Sequence, residues 1–201
     1  MSFNPTQTSM AHDLARSRRF LLVEDVDLIQ QAVRTMLPVD RLVQVVDLGA
    51  GSGTTALSVF CARSTQIRVL TVDHDPVALA STGQCMTNAG FRHLWTPMEA
   101  KTAEYGARLV PFLRFDEKAD FLMVDASHEY EDVRADLAAW LPLVRPGAPV
   151  YCHDYTDEYP GCRQAINEAI AEGRLIPVEQ AGWGILLRTP GADSVAAEVQ
   201  S

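Results

Sequence analysis

Val45-Val46-Asp47-Leu48-Gly49-Ala50-Gly51-Ser52-Gly53-Thr54 decides how the rest of the chain is read. The aliphatic run Leu42 to Leu48 predicts a buried strand. It ends in an acid and three glycines spaced by two. Thr54 to Ala62 then predicts a helix packed on the sheet. Glycine permits positive φ and lets a ligand approach where a Cβ would stand in the way. A strand running through such a loop into a helix is a nucleotide-cradling crossover. A dinucleotide fingerprint would need its third glycine at position 54, which is Thr54.

Working outward, Ile67 to Asp73 predicts a second strand ending in an acid. Asp73 follows the loop by the interval at which a crossover returns the chain to the neighbouring parallel strand, and an acid there can accept hydrogen bonds from both ribose hydroxyls. Asp75 followed by Pro76 predicts the cap of a helix running to Asn88. Arg92 to Trp95 predicts a third, weak strand, and Lys101 to Phe115 a helix interrupted by Gly106 and Pro111. Ala119 to Asp125 predicts a fourth strand, Glu131 to Val144 an amphipathic helix, and Ala148 to Cys152 a fifth strand leading into His153-Asp154-Tyr155. A helix over Gly161 to Glu172 precedes two short strands, Leu175 to Glu179 and Gly184 to Arg188, which form a closing hairpin. Before the glycine loop, the apolar spacing of Leu22, Val26, Ile29, Val33 and Leu37 predicts a helix from Leu21 to Leu37, stopped by Pro38. Residues 1–12 predict a loose lead-in and 190–201 a frayed tail.

Alternating strands and helices imply one domain over 1–201, an α/β sheet with helices on both faces and its ligand site at the carboxyl ends of the strands. Four of those ends carry acids: Asp47, Asp73, Asp125, and His153 with Asp154. The chain has 201 residues, 47% hydrophobic and 21% charged, with a formal charge of −9. That balance disfavours a nucleic acid or an anionic membrane as partner. The basic cluster Arg16, Arg18 and Arg19 reads as a solvated N-terminal segment. Four cysteines, Cys61, Cys85, Cys152 and Cys162, form no paired motif and read as reduced thiols, which with the absence of a signal core predicts a cytoplasmic protein. Trp140 falls on the apolar face of its helix and reads as core; Tyr130, Tyr155 and Tyr159 are candidates for an acceptor pocket.

Gly49-x-Gly51-x-Gly53 opened by Asp47 resembles motif I of class I S-adenosylmethionine-dependent methyltransferases. Val124-Asp125-Ala126-Ser127-His128-Glu129-Tyr130, Leu141 to Gly147 and His153-Asp154-Tyr155 are similar to a bacterial branch related to catechol and macrolide-sugar O-methyltransferases. The resemblance spans roughly residues 40–190. It implies a Rossmann-like sheet of seven strands, mostly parallel, closed by an antiparallel hairpin, and methyl transfer to a small-molecule hydroxyl. It implies that Asp47, Gly49, Ala50, Gly51 and Gly53 hold the methionine half of S-adenosylmethionine, with Asp73 and His74 at the ribose. Met98 or Glu99 would border the adenine, and Asp125 would border the cofactor. The helix over Leu21 to Leu37 would cover it. A divalent metal (magnesium, manganese or zinc) would be held by Asp125, His153 and Asp154. His153 stands where hard oxygen ligands are usual and instead favours zinc, manganese or iron; it would otherwise orient Asp154 or contact substrate. His128, three residues after Asp125, is the first choice of catalytic base and His153 the second, with Asp125 orienting the acceptor. A homodimer is also implied. Three rivals share the pattern: N- or C-methylation on the same fold, a nicotinamide-dependent oxidoreductase, and an inactive cofactor-binding subunit.

Overall fold

A computed structural model describes residues 5–18, 21–110 and 118–191. Seven strands form one sheet: β1 Val43–Leu48, β2 Ile67–Asp73, β3 Trp95–Glu99, β4 Phe121–Val124, β5 Pro149–Cys152, β6 Ile176–Ala181 and β7 Gly184–Arg188. Their order is β3-β2-β1-β4-β5-β7-β6. β1 to β5 are parallel; β7 pairs antiparallel with β5 and with β6. The connections leave β1 in one direction and β4 in the other, so the switch point lies between those two strands. That is where an open sheet receives its ligand.

Among the described residues seven α-helices cover the two faces: α1 Pro5–Arg18, α2 Val23–Thr35, α3 Thr54–Ala62, α4 Pro76–Asn88, α5 Thr102–Leu109, α6 Tyr130–Trp140 and α7 Pro160–Ala171. Alternate residues of β1 supply both cores. Val43 and Val45 pack with α1 to α4, against Ala11, Val26, Ile29, Val59, Phe60 and Met86. Val46 and Leu48 pack with α6 and α7, against Leu137, Trp140, Cys162 and Ile166. Burial on both faces is why a parallel strand reads as an unbroken apolar run.

β1, β2, α3 and α4 fall where the sequence places them, and Asp75 caps α4 by accepting from Val77 N–H at 2.8 Å. Four elements differ. Residues 5–18 form α1, not a loose lead-in; Ala11 and Ala15 bury its small-residue face against the core. The third strand begins where it was expected to end: Arg92–Leu94 is a 3₁₀ turn and β3 runs Trp95–Glu99. Pro97 hid it, yet β3 is an edge strand, where a missing N–H leaves no ladder bond unmade. α5 continues through Gly106, which abuts the Trp140 ring so closely that an added Cβ would lie 2.7 Å from its Nε1. The end of the longer helix expected there lies outside the described residues, as does the tail beyond residue 191. α6 stops at Trp140 and passes into a 3₁₀ turn at Leu141–Leu143 because Pro142 cannot continue the α-helix.

Trp140 is core, as expected. All four cysteines are free. Among the described residues no helix is long and apolar enough to cross a membrane.

Candidate active site

The glycine loop needs its three glycines for three different reasons. Gly49, at φ +95, passes so close beneath the β4–α6 connection that a Cβ would lie 2.0 Å from the Asp125 carbonyl oxygen. Gly53, at φ +86, packs on α4, with Thr82 and Cys85 3.2–3.3 Å from the place of a Cβ. Gly51, at φ +48, has nothing within 4 Å there and is exposed. One glycine closes the loop onto the sheet, one seats the helix, and the middle one faces open space.

Asp73 holds the loop from the side. Its carboxylate accepts from Ala50 N–H at 2.7 Å and from Asp75 N–H at 2.8 Å. His74 is exposed, with Nδ1 3.6 Å from Asp73. Asp47 differs from the other acids: it is 0% exposed and its carboxyl accepts from the Thr71 hydroxyl at 2.9 Å. Thr71 in turn accepts from Trp95 Nε1 at 2.7 Å. Burial pushes the Asp47 pKa up to about 8, against the pull of the Thr71 and Thr55 hydroxyls. The structure therefore places Asp47 beneath the loop and off the surface that a ligand would touch.

Beside the loop lies a cleft of about 500 Å³. Asp73 and His74 form one wall, Lys101 to Glu104 another, and Ala126, Ser127, Asp132 and Asp136 the far side. Glu99 pairs with Asp73 in the β2–β3 register and is exposed, while Met98 packs into the core under α6. The cleft wall thus runs through 101–104, a few residues beyond the pair expected at an adenine.

At the tip of β5 the side chains converge. His153 Nδ1 lies 3.1 Å from Asp125 and 3.2 Å from Asp154. The other oxygen of Asp154 lies 2.9 Å from His128 Nε2. The His128 ring stacks on Tyr159 with centroids 4.6 Å apart. Asp154 takes φ +56, a left-handed conformation that aspartate tolerates better than most residues and that aims its carboxylate between the two imidazoles. Tyr130 and Tyr155 spend their hydroxyls on α7, at Glu168 and Asn167. Of the three tyrosines, Tyr159 alone stacks on this cluster.

Nothing along the chain marks Asp25 for this place, yet it closes the cluster from behind. It is 0% exposed, accepts from Leu22 N–H at 2.8 Å and from Trp183 N–H at 3.0 Å, and stands 3.7 Å from His153 Nε2. From sequence, an acid in the first turn of a helix reads as a cap and nothing more. His153 is 4% exposed in its side chain. Burial alone would depress its pKa, but Asp125, Asp154 and Asp25 outweigh that and raise it. Asp125 is raised by burial, against the pull of His153.

Asp125, His153 and Asp154 place three donor atoms within 4.8 Å of one another. Two ligands each about 2.1 Å from one ion at a right angle stand roughly 3 Å apart, close to the separations here. Asp25 faces Nε2 at 3.7 Å without hydrogen-bonding it, so it acts on the imidazole through its charge. The donor set fits a divalent cation that tolerates nitrogen.

Not every buried acid belongs to this site. Asp120, at the opposite edge of the sheet, pairs with Arg41 and with Arg145 and ties β4 to its neighbours.

A family model described as a methyltransferase domain matches residues 46–155. A comparison with curated protein sequences finds no match. Solved structures share the architecture at low identity. An O-methyltransferase from Bacillus cereus in complex with SAH is 14% identical, with a TM-score of 0.66 over 93% of this chain and 91% of that one. The SAH-bound methyltransferase PaMTH1 of Podospora anserina is 14% identical, with a TM-score of 0.68 over 92% and 88%. The O-methyltransferase TomG of Streptomyces achromogenes, involved in tomaymycin synthesis and solved with SAM, is 16% identical, with a TM-score of 0.63 over 94% and 91%. At these identities the likeness establishes the fold.

Proposed function

The chain belongs to the methyltransferase-domain family and has the fold of its class I members, and from that premise we propose that it transfers the methyl group of S-adenosylmethionine to a hydroxyl of a small molecule. One observation carries the reading: Asp73, whose carboxylate holds the Ala50 N–H of the glycine loop, also lines a cleft of about 500 Å³ at the carboxyl ends of the strands. The loop takes the methionine half, Asp73 takes the ribose, and the nucleobase extends toward α5 and α6. Asp47, buried and bonded to Thr71 beneath the loop, does not touch the ligand.

Methyl transfer from a sulfonium is an in-line displacement. The acceptor oxygen must lose its proton and be aimed at the methyl carbon. His128 is placed for the first task. Its Nε2–H donates to Asp154, which leaves Nδ1 to accept the acceptor's proton. Tyr159 holds the ring in place by stacking. Asp125, His153 and Asp154 are the residues that would hold a divalent cation, which when bound lowers the pKa of an acceptor hydroxyl. Asp125 and Asp154 hold His153 at Nδ1, and Asp25 adds a negative charge behind the ring.

The test is binding followed by turnover. Titration with S-adenosylhomocysteine should give saturable binding and a higher melting temperature, and NAD should give neither. Methylation of a panel of hydroxylated small molecules, with and without divalent metal, then identifies the acceptor. Binding of NAD in place of the nucleoside would overturn the reading.

A further inference from the structure

A second cavity, of about 590 Å³, shares no residue with the cleft at Asp73. Its size is that of an ordinary small-molecule pocket. Two helical rows form its walls. On α1, Met10, Leu14 and Arg18 recur at four-residue spacing, which sets them on one face. On α4, Ser81, Cys85 and Asn88 do the same at spacings of four and three. Both helices rest on α3, and its Leu57 forms the floor.

The interior is apolar, and the charges at its rim do not cancel. Burial raises the Cys85 pKa and keeps that thiol a neutral packing group. Asp13, on the α1 side, already pairs with Arg16 at 3.1 Å. Arg18 makes no hydrogen bond or ion pair among the described residues, and it lies near enough to Cys85 to act on the thiol. Across the groove Gln84 Nε2 donates to Asn88 Oδ1 at 2.8 Å, which leaves the Asn88 amide hydrogens to donate elsewhere. A chain of net charge −9 has carboxylates to spare for its arginines, yet this one stands alone over an apolar cavity.

We propose that the groove between α1 and α4 binds an amphipathic carboxylate, with its apolar body among Met10, Leu14, Leu57 and Cys85 and its acid group on Arg18. The apolar body gains by leaving water, and the guanidinium fork matches a carboxylate. A neutral ligand would leave Arg18 unanswered, and a cation would be repelled. α4 also touches the glycine loop: Thr82 donates to the Ala50 carbonyl at 2.9 Å, and Gly53 packs on Thr82 and Cys85. The occupant therefore sits against the helix that seats the loop and leaves the cleft at Asp73 open to its own ligand. The inference does not depend on what that cleft binds.

The test uses 1-anilinonaphthalene-8-sulfonate, an amphipathic anion whose fluorescence rises in apolar surroundings. It is titrated into the parent, Arg18→Gln and Ala89→Phe proteins, then displaced by octanoate or by its neutral counterpart octanamide. The parent should bind the probe saturably at one site, and octanoate should displace it about tenfold more effectively than octanamide, the usual scale for a charged hydrogen bond. Arg18→Gln should weaken probe and octanoate by about tenfold and erase the preference over octanamide. Ala89→Phe should fill the groove and abolish binding; Ser81→Trp, at an exposed position, serves if the first filling variant does not fold by its melting curve. An unchanged titration in Arg18→Gln and in a folded filling variant overturns the proposal, as does equal displacement by octanoate and octanamide. Displacement of the probe by S-adenosylhomocysteine would place it in the other cleft and also overturn the proposal.

Discussion

At the tip of β1 the structure is made by backbone: Gly49 abuts the Asp125 carbonyl, Gly51 faces open space and the Ala50 N–H donates to Asp73, which braces the loop from the side. At the tip of β5 it presents side chains: His153, Asp154 and His128, with Asp125 from β4 and Asp25 from α2. The first region is local. Its geometry is set by a few consecutive residues, and its tolerance of change depends on whether a Cβ fits. The second is assembled from five residues in three separate stretches of the sequence, and its chemistry depends on how charges are shared. A site that binds one constant cofactor can be built from backbone; a site that activates an acceptor needs groups that titrate and donate.

The sharpest way to break this comparison is at Gly49. Gly49→Ala drives a methyl group into the Asp125 carbonyl at a φ unfavourable to alanine, and should cost upwards of about 3 kcal/mol. Thermal melting should show a strongly destabilised or unfolded protein. Gly51→Ala meets nothing and should leave the fold within about 1–2 kcal/mol while weakening S-adenosylhomocysteine. Equal effects at the two positions would show that the glycines do not have separate roles.

The next largest effect belongs to the other region. His128→Ala should lower kcat by roughly 10²–10⁴ with little change in S-adenosylhomocysteine affinity. A parallel loss of affinity would mean that the two regions are not separable. Asp73→Ala should show the reverse pattern. Removing hydrogen bonds to a charged group should weaken S-adenosylhomocysteine by about 10- to 100-fold by calorimetry.

Chelation sharpens the contrast: EDTA should abolish turnover and leave nucleoside binding intact, and manganese or zinc should restore activity. The smallest effect is a pH trend. In the folded protein Asp47 keeps its proton up to about pH 8, against an ordinary value of 3.8. The folded state therefore binds more protons than the unfolded state between about pH 4 and 8. This contribution to stability is fully present below pH 4 and is lost as pH rises toward 8. Asp47→Asn should flatten that loss, so that its melting temperature gains on the parent as pH is raised. A gain at low pH instead would contradict the buried, protonated carboxyl.

These differences explain what the residues could and could not announce. β1, the glycine loop, β2 and α4 were legible because each is specified by neighbours in sequence: an apolar run, glycines where positive φ is needed, and Asp75 with Pro76 at a helix start. β3 was displaced because Pro97 argues against a strand, and only the edge position makes it acceptable. α1 was missed because its sequence has little apolar periodicity; two alanines suffice once α3 lies beneath them. Asp125, His153 and Asp154 were nominated together, and the folded chain brings them within reach of one another. Asp25 and Asp136 carry no local mark. One reads as a helix cap and the other as a polar residue in an amphipathic helix.

The sequence alone determined the alternation of strands and helices from β1 onward, the crossover around the glycines and the set of acids at the strand ends, because periodicity and backbone sterics act over a few residues. Tertiary structure decided which acids face a ligand and which lie beneath it, and it alone brought Asp25 to His153 and Asp136 to the cleft. Burial and pairing between distant residues fix the charge and partners of a side chain, and no spacing along the chain records them.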